Sequence, residues 1–526
     1  MLSSQDIDRI SPGVDEAVKQ ANAWYWAYTS KIWLVPGLFT LDGHEFQVRP
    51  MSIRPPVKVV KKGTQMTFTE TEVLSVIHDM RYGLLPQGCL YLFPSKDEVT
   101  DFSSSRFAPL IKDNPDTIGA YIHDTNRANL KRIGNGFIFF RSGRLQQEIR
   151  GDMKSSSHLK SLPADHAVHD EYDEMHPGID EYVDGRLAKS KVKTKSYLAN
   201  PTLPDYGIDA KFQLSDQEYW HVKCQACGEY TCFDLDDNFP NLFHRQHDGS
   251  VIRACRRCGR LVDVRLGEWV AMKPSITDII GFTIGRPSAY WSNPAELLND
   301  WQNPNVDKAN FTRLRLGRAY IEAENRLSLE EIYDCCGDNG IESSNIGPCF
   351  MGVDQGKDLH VVIGDDRKVV HLEVYKDWEE MDRLVKVFNV SRCVVDALPE
   401  TRNARAFAER NKGKAYLNYY NEHQKGSYAW KQDEMIVSCN RTESLDASHQ
   451  KISLKKIGLP KRCEIVEEFA SHCHNVAKKL EEDEETGSKW YVYVKLGPDH
   501  FRHAFNYFVM AKEGYGRTTL NGMDLT

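Results

Sequence analysis

Two pairs of cysteines offer the clearest chemistry in this sequence. CQAC places Cys224 and Cys227 in one turn, CRRC places Cys255 and Cys258 in another, and a glycine follows each motif. Four thiolates suit tetrahedral Zn²⁺, and two such turns joined by a hairpin can direct their sulfurs to one point. We predict a structural zinc site, because protein ligands would fill all four positions of the metal. Less favoured ligands nearby are Cys232, His244 and His247.

The segment KKGTQMTFTE (61–70) could hold the phosphates of a nucleotide. It lies between a predicted strand and a predicted helix, where backbone N–H groups bind phosphate oxygens, a Lys adds positive charge and a Thr hydroxyl binds Mg²⁺. The pattern G-x-x-x-x-G-K-[ST] is not met, because Thr67 and Phe68 stand where Gly and Lys normally precede Thr69. Taken alone, the segment is more typical of a basic turn before a helix.

An acidic pair further along the chain could complete a nucleotide site. DEYDE (170–174) places Asp170 and Glu171 at the end of a predicted strand. Such a pair can hold Mg²⁺ and polarise the attacking water during phosphoryl transfer. The preceding residues are poorly hydrophobic for a buried strand, so an acidic surface loop is the alternative.

Carboxylates in the last third of the sequence could form a second metal site. Asp354 lies in the predicted strand FMGVDQG, and Asp396 ends the strand RCVVDAL. Asp499, His500 and His503 can share one face of a late helix. Together these groups could hold two Mg²⁺ ions for phosphodiester cleavage. The alternative for each aspartate alone is a turn or a helix cap.

The elements that must position these residues alternate between short apolar strands and helices. CLYLFP (89–94) and GFIFFRSG (136–143) read as buried strands, and this alternation predicts an α/β fold with a parallel sheet. The predicted divisions are a helical segment at 1–45, an α/β domain at 46–335 with a cysteine module at 220–262, a linker at 336–348 and a second α/β domain at 349–526.

The composition restricts the class of protein. With 526 residues, 41% hydrophobic and 27% charged, the chain can form several globular domains. A net charge of −8 argues against a small, uniformly basic nucleic-acid-binding protein. Thirteen cysteines, an odd number, favour metal ligation and free thiols in a reducing compartment. No apolar run of about 18 residues and no secretory signal are present, so no membrane association is expected.

Taken in order, these motifs resemble the large terminase subunit of tailed bacteriophages, the lambda type in particular. The resemblance extends from about Phe46 to Met510 and includes SCNRTE (438–443) and the final D-H-x-x-H-A-x-x-Y. KGTQMTFTE is similar to the family's deviant phosphate loop, in which Lys62 would be the lysine. The family implies a P-loop ATPase of the ASCE type with a zinc-ribbon-like insertion, followed by an RNase H-like nuclease.

The resemblance also implies roles for individual residues. Implied for nucleotide binding are Gln47, Lys62, Gly63, Thr64, Gln65, Met66, Thr67, Phe68, Thr69 and Asp170. Implied for ATP hydrolysis are Glu171 and Arg150, and for coupling to movement Asn200 and Thr202. Implied for the nuclease metal site are Asp354, Asp396 and a third ligand left open between Asp499, His500 and His503. His503 stands where many relatives have an aspartate, which could favour Mn²⁺ over Mg²⁺.

The implied function is ATP-driven movement of viral double-stranded DNA into a procapsid, with metal-dependent cutting of concatemeric DNA. ATP, Mg²⁺ (or Mn²⁺) and Zn²⁺ are the implied cofactors. The implied partners are DNA, the small terminase subunit, the portal protein of the procapsid and further copies in a ring, in the host cytoplasm and transiently at the portal. Two alternatives stay open: a helicase- or repair-type ATPase with an attached nuclease, and a non-enzymatic zinc-ribbon scaffold that binds DNA.

Overall fold

The computed structural model describes residues 12–35, 37–143, 146–147, 154–155, 162–176, 178–235, 239–322, 325–422, 424–426, 428–482 and 489–518. The chain divides into two compact units, Met1–Ile321 and Glu322–Thr526. Among the residues that the structure describes, no helix is both long and apolar enough to cross a membrane.

The first unit is built on one large mixed sheet flanked by helices. Its helices are α1 (Pro12–Ala21), α2 (Ala23–Thr29), α3 (Val48–Ser52), α4 (Phe68–Arg81), α5 (Lys96–Phe102), α6 (Ala108–Asp113), α7 (Ile179–Leu187), α8 (Gly207–Gln213), α9 (Pro294–Gln302) and α10 (Lys308–Asn310). Its strands in chain order are β1 (Trp33–Leu34), β2 (Gly37–Leu38), β3 (Val57–Lys62), β4 (Cys89–Phe93), β5 (Ile122–Arg127), β6 (Leu130–Ile133), β7 (Gly136–Ser142), β8 (Gln146–Gln147), β9 (Lys154–Ser155), β10 (His166–Asp170), β11 (Thr194–Ala199), β12 (Glu218–Lys223), β13 (Tyr230–Thr231), β14 (Phe243–Arg245), β15 (Val251–Arg253), β16 (Gly267–Ala271) and β17 (Ile279–Ile284).

The central strands of this sheet run parallel. In the described part of the unit, the strand order is β13-β12-β17-β3-β11-β10-β4-β7-β6-β5, with β16 paired to β12. Every pair from β12 to β7 in that order is parallel. The carboxyl ends of β3, β10 and β11 therefore meet at one edge, where a ligand site of an open α/β sheet is expected.

Strand β3 carries three lysines, although its position in the sheet is central. Lys58 pairs with Glu72 at 2.7 Å, and Lys61 pairs with Asp209 at 2.9 Å. All four of these side chains are at least nine-tenths buried, so each pair compensates a charge that would otherwise be costly to remove from water. Lys62 is the last residue of the strand, and it pairs with Glu171 where the carboxyl ends of the parallel strands meet.

The second unit contains a smaller sheet that is antiparallel on one side and parallel on the other. Its strands are β18 (Cys349–Gln355), β19 (Leu359–Gly364), β20 (Val369–Tyr375), β21 (Val390–Asp396), β22 (Ala415–Tyr420), β23 (Ala429–Lys431), β24 (Ile436–Cys439), β25 (Val476–Glu482) and β26 (Lys489–Lys495). Its helices are α11 (Leu329–Tyr333), α12 (Trp378–Val387), α13 (Thr401–Arg410), α14 (Arg441–Ser453), α15 (Glu464–His474) and α16 (His500–Thr518).

The strand order of this sheet is β20-β19-β18-β21-β22-β24-β23 in the described residues. Strands β18, β19 and β20 form an antiparallel meander, and β21 then pairs parallel to β18. Helix α16 packs directly on β18 at Gly352, because a side chain there would meet the backbone of Ala504 and Phe508. The predicted α/β fold class, with a large sheet in the first unit and a second, smaller sheet in the second unit, is confirmed.

The division between the units lies before the predicted linker at 336–348. Leu327, Ile332 and Cys335 are buried in the core of the second unit. These residues therefore belong to the second unit, although the sequence analysis placed them in the first domain.

Candidate functional site

The phosphate loop connects β3 to α4 through strained backbone. Gln65 and Thr67 both have positive φ angles, 63° and 60°, which non-glycine residues rarely adopt. Thr67 also has a buried side-chain hydroxyl for which the described residues provide no hydrogen-bond partner. A strained loop with an unpaired buried hydroxyl, at the N-terminus of a helix, suits a ligand that supplies acceptor oxygens.

Lys62 and Glu171 form the centre of this site. Lys62 Nζ donates to Glu171 Oε1 at 2.9 Å, where the lysine is buried and the glutamate is 39% exposed. Burial opposes the charged form of Lys62, but the carboxylates of Glu171 and Asp170 outweigh it and raise the pKa of this lysine. Glu171 follows β10 with a φ of 57°, so its backbone is also in the left-handed region.

Thr69 and Asp170 face each other beside this pair. The Thr69 hydroxyl donates to Asp170 Oδ1 at 3.2 Å, and the Tyr91 hydroxyl donates to Asp170 Oδ2 at 3.0 Å. Burial, and then the charge of Glu171, raises the pKa of Asp170 to about 7. A bound cation would offset that cost, and a threonine hydroxyl with a carboxylate is a donor set that Mg²⁺ accepts.

Gln47 supports the phosphate loop with both polar atoms of its amide. Its Nε2 donates to the carbonyl of Met66 at 2.7 Å, and its Oε1 accepts from the Thr71 hydroxyl at 3.0 Å. The same side chain lines a cavity of about 200 Å³ that also includes His44 and Thr67. Gln47 therefore fixes the loop against the wall of the cavity.

Asn200 and Thr202, the predicted coupling residues, contact the site from the end of β11. Asn200 Nδ2 donates to the carbonyl of Lys62 at 2.8 Å. Thr202 donates through both its amide and its hydroxyl to Asp173, each at 2.8 Å. The segment after β11 is thus hydrogen-bonded both to the phosphate loop and to the residues after β10. Arg150 lies outside the described residues.

The four cysteines of the two motifs converge. Cys224 Sγ lies 3.7 Å from Cys258 Sγ, and Cys227 Sγ lies 3.6 Å from Cys255 Sγ. A tetrahedron of sulfurs at the usual Zn–S length has S–S edges of about 3.8 Å, so this cluster fits Zn²⁺ closely. The metal-compatible cluster found here in the described residues contains neither Cys232 nor the alternative histidines.

The local sequence explains the matching turns. Gly228 N donates to the carbonyl of Cys224, and Gly259 N donates to that of Cys255, each at 2.9 Å. Both glycines have positive φ, 75° and 69°, which the turn requires and a side chain would disfavour.

The candidate nuclease site joins two neighbouring strands to the last helix. Asp354 lies on β18, and Asp396 ends β21, which pairs parallel to it. Asp354 Oδ2 lies 2.8 Å from His500 Nδ1, and Asp396 Oδ2 accepts from the Tyr507 hydroxyl at 3.0 Å. Burial raises the pKa of Asp354, and burial followed by the charge of Asp354 raises the pKa of Asp396 to about 6. A divalent cation between the two would relieve both effects.

The remaining candidate ligands, Asp499, His500 and His503, have different neighbours in the structure. Asp499 is 2.7 Å from Lys495 Nζ and 3.4 Å from His503 Nε2. Burial opposes its charged form, but His503 and Lys495 hold the pKa of Asp499 well below its usual range. His503 also lies 3.4 Å from the Tyr420 hydroxyl. His500 thus contacts Asp354 directly, whereas Asp499 is held by a lysine and a histidine.

Several contacts of these sites carry no signal in the sequence. Arg286 donates to the phosphate loop, and Tyr91 donates to Asp170, yet neither lies in a recognisable motif. Tyr507 was within reach of pattern analysis, since it stands four residues after His503 on the same face of α16.

Comparison with known proteins agrees with this geometry. Residues 56–271 match the family model described as phage terminase large subunit gpA, ATPase domain. The crystal structure of the HK97 bacteriophage large terminase is similar with a TM-score of 0.53 and 10% identity, covering 92% of this chain and 98% of that one. The large terminase of the thermophilic bacteriophage D6E is 11% identical with a TM-score of 0.30, over 86% of this chain and 93% of that one.

The HK97 comparison extends the shared fold beyond the residues that the family model matches. A comparison with curated protein sequences gave no match. The family match covers the strand, the loop, the acidic pair and the cysteine module described above. Residues 56–271 are therefore similar to the ATPase domain of the phage terminase large subunit, and the chain shares its fold with the HK97 large terminase over most of its length.

Proposed function

We propose that this protein hydrolyses ATP to move viral double-stranded DNA into a procapsid and cuts concatemeric DNA at a second, metal-dependent site. The observation that supports this proposal best is the assembly of two independent acidic centres. One joins Lys62 and Glu171 beside Thr69 and Asp170 in the first unit. The other joins buried carboxylates at the ends of neighbouring strands in the second unit.

In the ATPase site, Lys62 and the loop amides would bind the phosphates while Thr69 and Asp170 would hold Mg²⁺. Bound Mg²⁺ would neutralise charge on the phosphates. Lys62 would then exchange Glu171 for phosphate oxygens, which frees the glutamate to orient water and accept its proton. Gly63, Thr64, Gln65, Met66, Thr67 and Phe68 would form the cradle, with Asn200 and Thr202 transmitting its movement.

In the nuclease site, Asp354 and Asp396 would hold Mg²⁺ or Mn²⁺, with the third ligand from α16. The metal would stabilise the attacking and leaving oxygens of the phosphodiester. Asp499, His500 and His503 stay alternatives for that ligand, because each is already paired: Asp499 with Lys495 and His503, and His500 with Asp354. Zn²⁺ at the four cysteines would be structural.

The partners in this proposal are those of a packaging motor. They are viral DNA, the small terminase subunit, the portal protein of the procapsid and further copies of this chain in a ring, in the host cytoplasm. A motor domain followed by a nuclease domain, and an Arg150 that acts in hydrolysis, also belong to the proposal. DNA contacts would be mainly to phosphates, since a translocating motor cannot depend on sequence.

The test measures DNA-stimulated ATP turnover and Mg²⁺-dependent plasmid cleavage on one purified sample. Glu171→Gln should lower ATP turnover by about a hundredfold to ten-thousandfold, because the general base is lost, and should leave cleavage unchanged. Glu174→Gln, at an exposed position of the short helix Tyr172–Glu174 that follows Glu171, is the matched control and should change neither rate. Equal turnover in the wild type and Glu171→Gln would contradict the ATPase assignment. A protein that hydrolyses ATP without any cleavage would contradict the nuclease assignment alone.

A further inference from the structure

An arginine outside every motif contacts the phosphate loop. Arg286 begins the short helix Arg286–Ser288, two residues after β17 ends. Strand β17 pairs with β3 up to Ile284 and Lys62, so this register brings residue 286 beside the loop. Its Nη2 donates to Thr64 Oγ1 at 2.7 Å and to Gln65 Oε1 at 3.1 Å.

The charge of Arg286 is not neutralised by these contacts. Its acceptors on the loop are the hydroxyl and carbonyl of Thr64 and the amide oxygen of Gln65, all of them uncharged. In the described part of the chain, it forms no ion pair, whereas the neighbouring Arg315 pairs with Asp300 at 2.5 Å. Burial, and then the charge of Arg315, lowers the pKa of Arg286. A polyphosphate would supply the missing negative charge.

The backbone around Arg286 is held rigidly by the cysteine module. The buried carboxylate of Asp234 accepts from Gly285 N at 2.8 Å and from the Ser288 hydroxyl at 2.6 Å. The buried guanidinium of Arg253 donates to three carbonyls of the same loop at 2.6, 2.7 and 2.6 Å. Charged hydrogen bonds of this kind are among the strongest in proteins, so the loop presents Arg286 from a fixed position.

Glycines also allow the phosphate loop to pack closely against residues 314–317. A side chain at Gly63 would lie 2.9 Å from the carbonyl of Arg315, and one at Gly317 would lie 2.7 Å from Gly63 N. Thr64 N also donates to the carbonyl of Leu314 at 2.6 Å. The first residues of the phosphate loop are therefore fixed between two segments, and only the Gln65 contact of Arg286 is solvent-exposed.

We propose that Arg286 binds the terminal phosphate of ATP from the same chain that carries the phosphate loop. The inference rests on the proposed ATPase activity and adds a residue to it. Without nucleotide, the guanidinium rests on Thr64 and Gln65. With ATP, it exchanges the exposed Gln65 oxygen for an oxygen of the terminal phosphate. ADP lacks that group, so Arg286 distinguishes ATP from ADP.

A purely supporting role would give a different result from a phosphate contact. If Arg286 only tethers the loop, its loss weakens ATP and ADP binding equally. If it contacts the terminal phosphate, its loss weakens binding of a non-hydrolysable ATP analogue and leaves ADP binding within about twofold. The ratio of the two affinities therefore separates the roles.

The experiment measures Mg²⁺-dependent binding of the ATP analogue and of ADP to the full chain, together with ATP turnover. Arg286→Ala should weaken analogue binding by about tenfold to a hundredfold, the loss of a charge-assisted hydrogen bond. Arg286→Lys should recover part of it, because the charge returns without the planar donor fork. Ser288→Ala, which removes one hydrogen bond of the support, should give a smaller loss in the same direction. Arg256→Ala, at an exposed arginine of the cysteine module, is the control.

Equal losses for ADP and the analogue, or no loss in Arg286→Ala, would overturn the inference while leaving the ATPase proposal intact. If the wild type binds neither nucleotide, the ATPase proposal itself fails and this inference fails with it. If Arg286→Ala does not fold, the same affinity ratio in Arg286→Lys decides the outcome.

Discussion

The two candidate sites differ in the permanently charged cations that they place beside their carboxylates. At the phosphate loop, Lys62 is paired with Glu171, and Arg286 has only uncharged acceptors on the loop. At the second site, burial raises the pKa of Asp354, and burial followed by the charge of Asp354 raises the pKa of Asp396. The first arrangement suits an incoming polyanion, and the second suits incoming cations.

This difference indicates how each site depends on its ligand. The loop already holds a cation next to its general base, so nucleotide binding rearranges an existing ion pair. The second site has His500 beside Asp354, and it gains a divalent balancing charge only when metal binds. Changes to the carboxylates of the second site should therefore have the largest effects.

The strongest test of this comparison is Asp354→Asn. We expect plasmid cleavage to fall by at least about a hundredfold, because an amide cannot balance a divalent cation, while ATP turnover stays unchanged. Cleavage by gel assay and ATP turnover are measured on the same preparation. Asp433→Asn, at an exposed position of the same unit, is the control. Normal cutting by Asp354→Asn would refute the nuclease site.

The second test compares the adjacent lysines of β3. Lys62→Met should lower ATP turnover by about a hundredfold, since the cation that faces the phosphates is lost. Lys61→Met should instead lower the free energy of unfolding by about 3–5 kcal/mol, because Asp209 is left buried without its partner. Denaturant unfolding and ATP turnover are measured for both variants. The reverse pattern would make Lys61 the phosphate lysine.

The features that were predictable from the sequence are those encoded over short distances. The two C-x₂-C turns each repeat the same glycine geometry within five residues, so their spacing was enough to predict a metal cluster. The strands carrying Asp354 and Asp396 were predictable because their neighbours are continuously apolar.

Contacts between distant segments were not predictable in the same way. Arg286 reaches Thr64 only because β17 pairs beside β3, and no local pattern specifies that pairing. Gln47 was expected to bind nucleotide, and no local pattern shows that folding brings its amide to Met66 and Thr71. The linker was expected at 336–348 because this segment is rich in Gly, Asn and Ser. That composition does not show that Leu327, Ile332 and Cys335, which precede the segment, pack in the core of the second unit.

The third test is the loss of zinc from the first unit, for which we expect a smaller effect. Cys255→Ser should reduce bound zinc to near zero and lower the melting temperature by several degrees, because metal binding contributes to folding. Cys232→Ser is the matched control, because Cys232 is a buried thiol of the same module that lies outside the four-cysteine cluster. Metal analysis and thermal unfolding are the measurements. Loss of zinc from Cys232→Ser would contradict the four-cysteine assignment.

The smallest effect is expected at Tyr507. This residue tests how the second site stabilises the negative charge of Asp396 when no metal is bound. The Tyr507 hydroxyl donates to Asp396 and stabilises the ionised carboxylate. Tyr507→Phe should therefore slow cleavage by about fivefold at low Mg²⁺, as expected for a hydrogen bond worth about 1 kcal/mol.

High Mg²⁺ should restore most of that rate, since the metal then supplies the charge that the hydroxyl only partly offsets. Cleavage is measured over a range of Mg²⁺ concentrations, with Tyr416→Phe, another buried tyrosine of the unit, as the control. A loss that persists at saturating Mg²⁺ would mean that the hydroxyl acts on the reaction itself and not on the charge of Asp396. The contrast between a site that depends on metal for its balancing charge and one that already holds a lysine beside its general base would then need another explanation at this residue.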